Sequence, residues 1–228
     1  MPAINASTLP PLAASGAPAS AAGLRCTVAR FLKSGLRSAV GRNAFERLAR
    51  LRPRRSETSR HRALLAPYCV GYGVDIGFGG DAITSSAIRM DLPAPYTRLG
   101  RAPVQLGGDC RALSWLRDGV LDFVYSSHVL EDFSEAETLP ILQEWARVLK
   151  PGGRLVLLLP DQQRYLAHCR RMGEMDADGF LGNAHHSIAH FSLDYVEGVA
   201  RGVGMLRRIA AHPSLGPYSF AVVYEKEA

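Results

Sequence analysis

Three aspartates, each just beyond or at the end of a short apolar run, are the residues of this 228-residue chain best placed to do chemistry. Asp75 opens the run Asp75-Ile76-Gly77-Phe78-Gly79-Gly80-Asp81, Asp91 follows sixteen residues later, and Asp109 sits in Gly107-Gly108-Asp109-Cys110. Glycines at such positions let backbone approach a ligand closely and leave N–H groups free to receive an anion. An acid at Asp91 is placed to accept hydrogen bonds from both hydroxyls of a ribose. An acid at Asp109 is placed to take an adenine amino group. Two further run ends carry Ser126-Ser127-His128 and Pro160-Asp161. A single Gly-x-Gly says little, but three acids at three successive ends describe a nucleoside pocket.

Positioning these residues requires strands that end where they begin. Val70–Ile76, Ala87–Leu92, Pro103–Leu106, Leu121–Tyr125 and Arg154–Leu159 read as strands, and Met205–Ala211 and Tyr218–Tyr224 as two closing ones. Between them, 135–149 has helical periodicity through Leu139, Leu142, Trp145 and Val148, stopped by Lys150-Pro151-Gly152-Gly153. Phe191–Arg201 reads as a second helix. Alternating strands and helices predict an open, mostly parallel α/β sheet, whose ligands lie beyond the carboxyl ends of the strands. About seven residues separate Gly79 from the second strand, too few for a full helix there. No helix dipole is then offered to a pyrophosphate, which argues against a dinucleotide.

Charge divides the chain. Residues 1–62 carry 12 Lys+Arg against Glu46 and Glu57, a surplus of 10; the rest holds 27 − 12 = 15 bases against 21 − 2 = 19 acids. The pI near 9.4 therefore reflects the extension rather than a nucleic-acid-binding body. Residues 1–23, rich in Ala, Ser and Pro and uncharged, are expected to be a disordered tail. Residues 24–62 are expected to form a basic amphipathic helical extension, either packed on the domain 63–228 or lying against an anionic surface. No apolar run reaches the ~18–20 residues of a membrane span. Cys26, Cys69, Cys110 and Cys169 include no C-x-x-C pair, which points to a reducing, cytoplasmic setting.

The stretch 74–161 resembles the class I S-adenosylmethionine-dependent methyltransferases, in a small branch with a shortened first helix often associated with cell-surface glycan and lipid pathways. The resemblance lies in Val74-Asp-Ile-Gly-Phe-Gly-Gly, Ala87-Ile-Arg-Met-Asp91-Leu, Asp122-Phe-Val-Tyr-Ser-Ser-His-Val-Leu-Glu-Asp132, Arg147-Val-Leu-Lys-Pro-Gly-Gly-Arg-Leu and Leu159-Pro-Asp161. It implies a Rossmann-like seven-stranded sheet with an antiparallel last strand, binding S-adenosyl-L-methionine across the ends of the first four strands. On that pattern Asp75, Gly77, Phe78 and Gly79 attend the methionine and ribose portion, and Asp91 the ribose. Gly108, Asp109 and Cys110 attend the adenine side, and Ser126 and Ser127 run past the methyl-bearing sulfur. Asp81 stands where the simpler pattern has glycine, and Asp132 where histidine is common.

Methyl transfer from a sulfonium is an in-line displacement served mainly by alignment, but a hydroxyl acceptor also needs a base. His128, Asp161 and His186 are the candidates, with His185 and His190 nearby; His128 also reads as a pocket wall, and Asp161 as a loop cap. No metal site is expected. The leading function is methyl transfer to a small-molecule or surface-glycan/lipid acceptor at oxygen, with peripheral membrane contact at the inner face through 24–62. A catalytically degenerate partner-docking protein is the alternative. A nucleic-acid methyltransferase is a weaker one, because Ser-Ser-His replaces the Pro-Pro-aromatic run used for exocyclic amines.

Overall fold

The computed structural model describes residues 56–93, 102–175, 181–183 and 185–228. The expected tail 1–23 and most of the expected extension 24–62 lie outside them. The first described element is a helix, α1 (Glu57–Leu65), capped by Ser56, whose hydroxyl accepts from Ser59 N at 2.9 Å. It runs across the expected boundary at 62/63, so residues 57–62 belong to the folded domain.

Seven strands follow: β1 (Gly73–Ile76), β2 (Ile88–Asp91), β3 (Leu106–Gly107), β4 (Leu121–Ser127), β5 (Leu149–Pro160), β6 (Leu206–Leu215) and β7 (Ser219–Lys226). They form one sheet in the order β3-β2-β1-β4-β5-β7-β6. The first five run parallel, and β7 is antiparallel to both β5 and β6. Only turns join β1 to β2, as the short spacing predicted. Three helices complete the domain: α2 (Glu135–Val148), α3 (Gln162–Met172) and α4 (Leu193–Val203).

Period-two alternation on the central strands builds a core on each face. Val124, Leu155, Leu157, Phe220 and Val222 face the layer of α2 and α4, which contributes Leu142, Trp145, Val196 and Ala200. Phe123, Tyr125, Val156, Leu158, Ala221 and Val223 face the other way, and there α1 adds Leu65, fully buried. Thr58 of α1 also meets the buried Tyr125 hydroxyl at 3.1 Å. Helix α2 begins with a capping box, Glu137 Oε2 accepting from Ser134 N at 3.0 Å. Two elements differ from the sequence reading. Helix α3, absent from that reading, has a polar face and few buried residues, Gln162 and Cys169. Strand β5 starts at Leu149 rather than Arg154, because the Pro-Gly-Gly turn is held within the strand by pairing of Leu149 to Leu121.

Candidate active site

A cavity of about 380 Å³ opens at the carboxyl ends of β1, β2 and β4, within the ~300–1,000 Å³ of ordinary small-molecule sites. Each wall follows from a strand end. At the end of β1, Gly77 turns with φ +66° and donates its N–H to Met90 O at 2.8 Å; a Cβ there would lie 2.2 Å from Val129 Cγ2. At the end of β2, Asp91 lines the cavity, with Oδ2 accepting from Gly79 N at 3.2 Å and Oδ1 from Leu92 N at 2.8 Å. After β3, Gly108, Asp109 and Cys110 line it, and after β4, His128 and Val129.

These walls separate the expected cofactor residues into two groups. Gly77, Asp91, Gly108, Asp109 and Cys110 meet in the cavity. Asp75, Phe78, Gly79, Ser126 and Ser127 are not among its lining, each for a physical reason. Asp75 is buried beneath the glycine loop, where Oδ2 accepts from Ile83 N at 2.6 Å. Burial, only partly offset by that bond, pushes its carboxyl up to about 8, so at neutral pH it is largely a protonated brace. Phe78 is 5% exposed and turned into the protein, while its N–H reaches Met90 O. Gly79 acts on Asp91 from behind. The Ser126 hydroxyl is buried and directed at Ile76 O, and Ser127 continues β4 against Leu158.

Asp109 is ionised but already engaged. Arg111 grips it through Nη2 at 2.6 Å and spans to Glu137 at 2.9 Å, and these hydrogen bonds hold the Asp109 carboxyl below its ordinary range. Cys110 is a thiol pushed up to about 12, first by burial and then by the Asp109 charge. His185, named beside the candidate bases, lines the cavity, and so do Arg111, Asp132, Phe133 and Glu137, which were not anticipated there. Arg111 was the most accessible of these, two residues beyond a strand-end acid.

His128 is the only non-glycine residue with positive φ (55°) among the described residues. Such a conformation costs on the order of 1 kcal/mol and marks a side chain aimed for a purpose. Its Nδ1 lies 3.3 Å from Glu131 Oε1, and its Nε2 3.4 Å from Ser219 Oγ. His186 is drawn to the same carboxylate: Nε2 is 3.9 Å from both Glu131 Oε1 and Asp132 Oδ1, while Nδ1 meets Gln162 Oε1 at 2.9 Å. Burial lowers the His186 pKa, against the pull of Glu131, and leaves a neutral imidazole; contrary to the catalytic expectation, the ring is not among the cavity lining. Asp161 departs from the catalytic expectation. It caps α3, its Oδ1 accepting from Arg164 N at 2.9 Å, and it is not among the cavity lining. His190 pairs with Glu135 on the exterior. No group of three or more His, Cys, Asp or Glu among the described residues could hold a metal ion.

Asp81 explains its own departure from glycine. Its carboxylate accepts from Ser56, from Ser59 at 2.5 Å and from Arg62, clipping α1 to the glycine loop on the side away from the cavity lining.

The donor and acceptor pattern suits S-adenosylmethionine. Carboxylates are available for hydroxyl and amino donors, and Ile76, Met90, Leu92, Val129 and Phe133 offer apolar walls for a flat base. An open sheet with this strand order and a nucleoside-sized cleft at its switch point defines a class of cofactor-binding α/β domains. Residues 72–157 match the family described as a methyltransferase domain. The chain carries a class I S-adenosylmethionine-dependent methyltransferase domain, and S-adenosylmethionine is its cofactor.

Solved structures resemble the fold at low identity. The PH0226 protein of Pyrococcus horikoshii aligns over 79% of this chain and 99% of its own, at 19% identity and a TM-score of 0.58. A SAM-dependent methyltransferase from Archaeoglobus fulgidus aligns over 74% and 92%, at 15% identity and a TM-score of 0.54. The N-methyltransferase NodS of Bradyrhizobium japonicum, solved with S-adenosyl-L-homocysteine, aligns over 78% and 92%, at 15% identity and a TM-score of 0.50. A search of curated proteins finds no match.

Proposed function

We propose that the chain methylates an oxygen of a small-molecule or surface-glycan/lipid acceptor, with the acceptor entering beside His128 and His186. The observation that carries this reading is the meeting of Asp91, Gly77, Gly108 and His128 in one cavity at the strand ends. S-adenosylmethionine, when bound, supplies the methyl group as an electrophilic sulfonium substituent. Asp91, prearranged by Gly79 N, binds the ribose hydroxyls, and Gly77 and Gly108 give the backbone close approach.

His186 is the proton acceptor. With Gln162 Oε1 taking the Nδ1 proton, Nε2 is left with the lone pair; the ring is not itself among the cavity lining and borders the cavity through Asp132, from which Nε2 lies 3.9 Å. A hydroxyl acceptor loses its proton to that nitrogen as it attacks. Positioned bases contribute about 10²–10⁴-fold. Asp161 takes no part beyond holding the start of α3.

Two features support a working site over a degenerate docking protein: the pocket side of the glycine loop keeps its glycines, and Asp81 faces α1 instead of the cavity. The surplus of 10 positive charges in residues 1–62 supports peripheral contact with an anionic membrane. Among the described residues no helix is long and apolar enough to cross one.

The test is calorimetric titration with S-adenosylhomocysteine, beside Asp91→Ala. Two charge-assisted hydrogen bonds at about 1.5–3 kcal/mol each predict a loss of at least about 100-fold. Equal binding by both proteins would refute the ribose assignment. Titration of a truncated chain lacking 1–55 against anionic vesicles tests the membrane contact, which is refuted if the truncated chain pellets as well as the whole one.

A further inference from the structure

The polar contacts around His128 favour one proton arrangement. Nδ1 lies 3.3 Å from Oε1 of Glu131, a side chain 1% exposed, and a carboxylate at ion-pair distance favours a proton on Nδ1. Nε2 faces Ser219 Oγ, and Ser219 is fully buried. The serine hydroxyl has one proton, and it is directed at Glu57 Oε2, 3.2 Å away on the first turn of α1. Its oxygen is then free to accept from Nε2, 3.4 Å away, and a proton on Nε2 completes that contact.

We infer that His128 is held as an imidazolium, clamped between Glu131 on one nitrogen and the Ser219–Glu57 pair on the other, and that these three are positioning residues of the active site. A ring donating from both nitrogens has no lone pair to receive a proton. His128 is then a fixed wall of the cavity, and the base is left to His186. The clamp also ties α1 to the site: Glu57 reaches His128 through Ser219, while Asp81 ties the same helix to the glycine loop.

The other groups facing the ring agree with a cation there. Asp132 adds negative charge from the turn that carries Glu131, and His61 of α1 lies 3.7 Å from Glu57 Oε2. His186 approaches Glu131 from the far side, neutral, and the Tyr218 ring meets His128 edge-on at 6.1 Å. Burial by itself would lower the His128 pKa; the Glu131 hydrogen bond and charge, followed by Glu57 and Asp132, outweigh it and raise it.

The experiment uses the full chain labelled with ¹⁵N-histidine, with His128 assigned by loss of its signals in His128→Gln. Long-range ¹H–¹⁵N correlations distinguish an imidazolium from each neutral tautomer, with no turnover required. Both His128 nitrogens are expected to be protonated at pH 7, with a midpoint above the ordinary ~6.5. Glu131→Gln and Glu57→Gln should each lower that midpoint, by up to about 1–3 pH units for the closer Glu131. A bare nitrogen at pH 7 in the unmodified chain, or a midpoint that neither variant moves, overturns the inference. Thermal melts establish that each variant is folded. If Glu131→Gln is not, the unmodified chain and Glu57→Gln, an isosteric change at a side chain 15% exposed, decide the matter. S-adenosylhomocysteine binding measured on the same samples separates failure of this clamp from failure of the cofactor site.

Discussion

Replacing Asp81 by alanine should loosen α1 without emptying the cavity. The carboxylate accepts from Ser56, Ser59 and Arg62, and its side chain is 25% exposed. Fully buried charge-assisted bonds contribute about 1.5–3 kcal/mol each; partial exposure of Asp81 and Arg62 reduces that to about 1 kcal/mol apiece. The loss is then about 2–3 kcal/mol. At ~2–4 °C per kcal/mol for a domain of this size, the melting temperature falls by about 4–12 °C. If α1 undocks alone, the same energy appears as faster amide exchange in Glu57–Leu65, by up to about 100-fold.

The pH dependence carries the sign. Burial alone would raise the Asp81 carboxyl, but the bonds from Ser56, Ser59 and Arg62 outweigh it and hold the group below its ordinary value. Its stabilisation is therefore present above the unfolded pKa of ~3.9 and is lost as pH falls through the folded one. Melting curves of the two proteins should stay separated by a constant gap from pH 8 to about pH 5, then converge below ~4. Unchanged exchange in α1 together with an unchanged melting temperature at pH 7 would refute the clip. A gap that widens on acidification would refute its electrostatic origin.

Gly77→Ala should bind S-adenosylhomocysteine at least about 10-fold more weakly and melt lower, since its Cβ would lie 2.2 Å from Val129 Cγ2 at a φ of +66°; wild-type affinity would sink the close-approach argument. Cys110, with its thiol pushed up to about 12, should resist iodoacetamide at pH 8 far longer than free cysteine, as mass spectrometry of the folded chain would register. Prompt labelling of Cys110 would show that its surroundings are wetter than described. His186→Gln should cut turnover by about 10²–10⁴-fold and leave S-adenosylhomocysteine affinity within about twofold. Equal losses in both would make His186 a binding residue instead.

The sheet was legible because its strands obey strong local rules. Apolar runs buried on both faces, bounded by glycines, admit few readings other than β1, β4 and β5. Helix α3 was not legible: its eleven residues bury only Gln162 and Cys169, and its short apolar stripe of Tyr165, Leu166, Cys169 and Met172 is outnumbered by polar residues. Its signals are the end caps, Asp161 before it and Gly173 at φ 64° after it, and Asp161 is also the residue the sequence offered as a catalyst. A carboxylate at a strand end and a carboxylate at a helix start are the same letter in the same place.

The same ambiguity explains why three strand-end acids were weighed alike and came to three uses. What separates Asp75, Asp91 and Asp109 is not their spacing but the direction each side chain takes and the partner it finds. Asp75 turns under the loop to Ile83 N, Asp91 turns into the cavity with Gly79 N behind it, and Asp109 is met by Arg111 at the rim. Those partners lie two to twelve residues away in loops whose path no periodicity encodes. Glu131 is the stronger case. As one acid in a run of strand-to-helix residues it carries no local signal. Buried between the two histidines, its Oε1 lies 3.3 Å from His128 Nδ1 and 3.9 Å from His186 Nε2, closer to the ring inferred to hold the extra proton. Division of labour at this site is thus a property of packing, written in the contact of a turn, a loop and the first turn of α1, and it becomes readable only when the three are seen together.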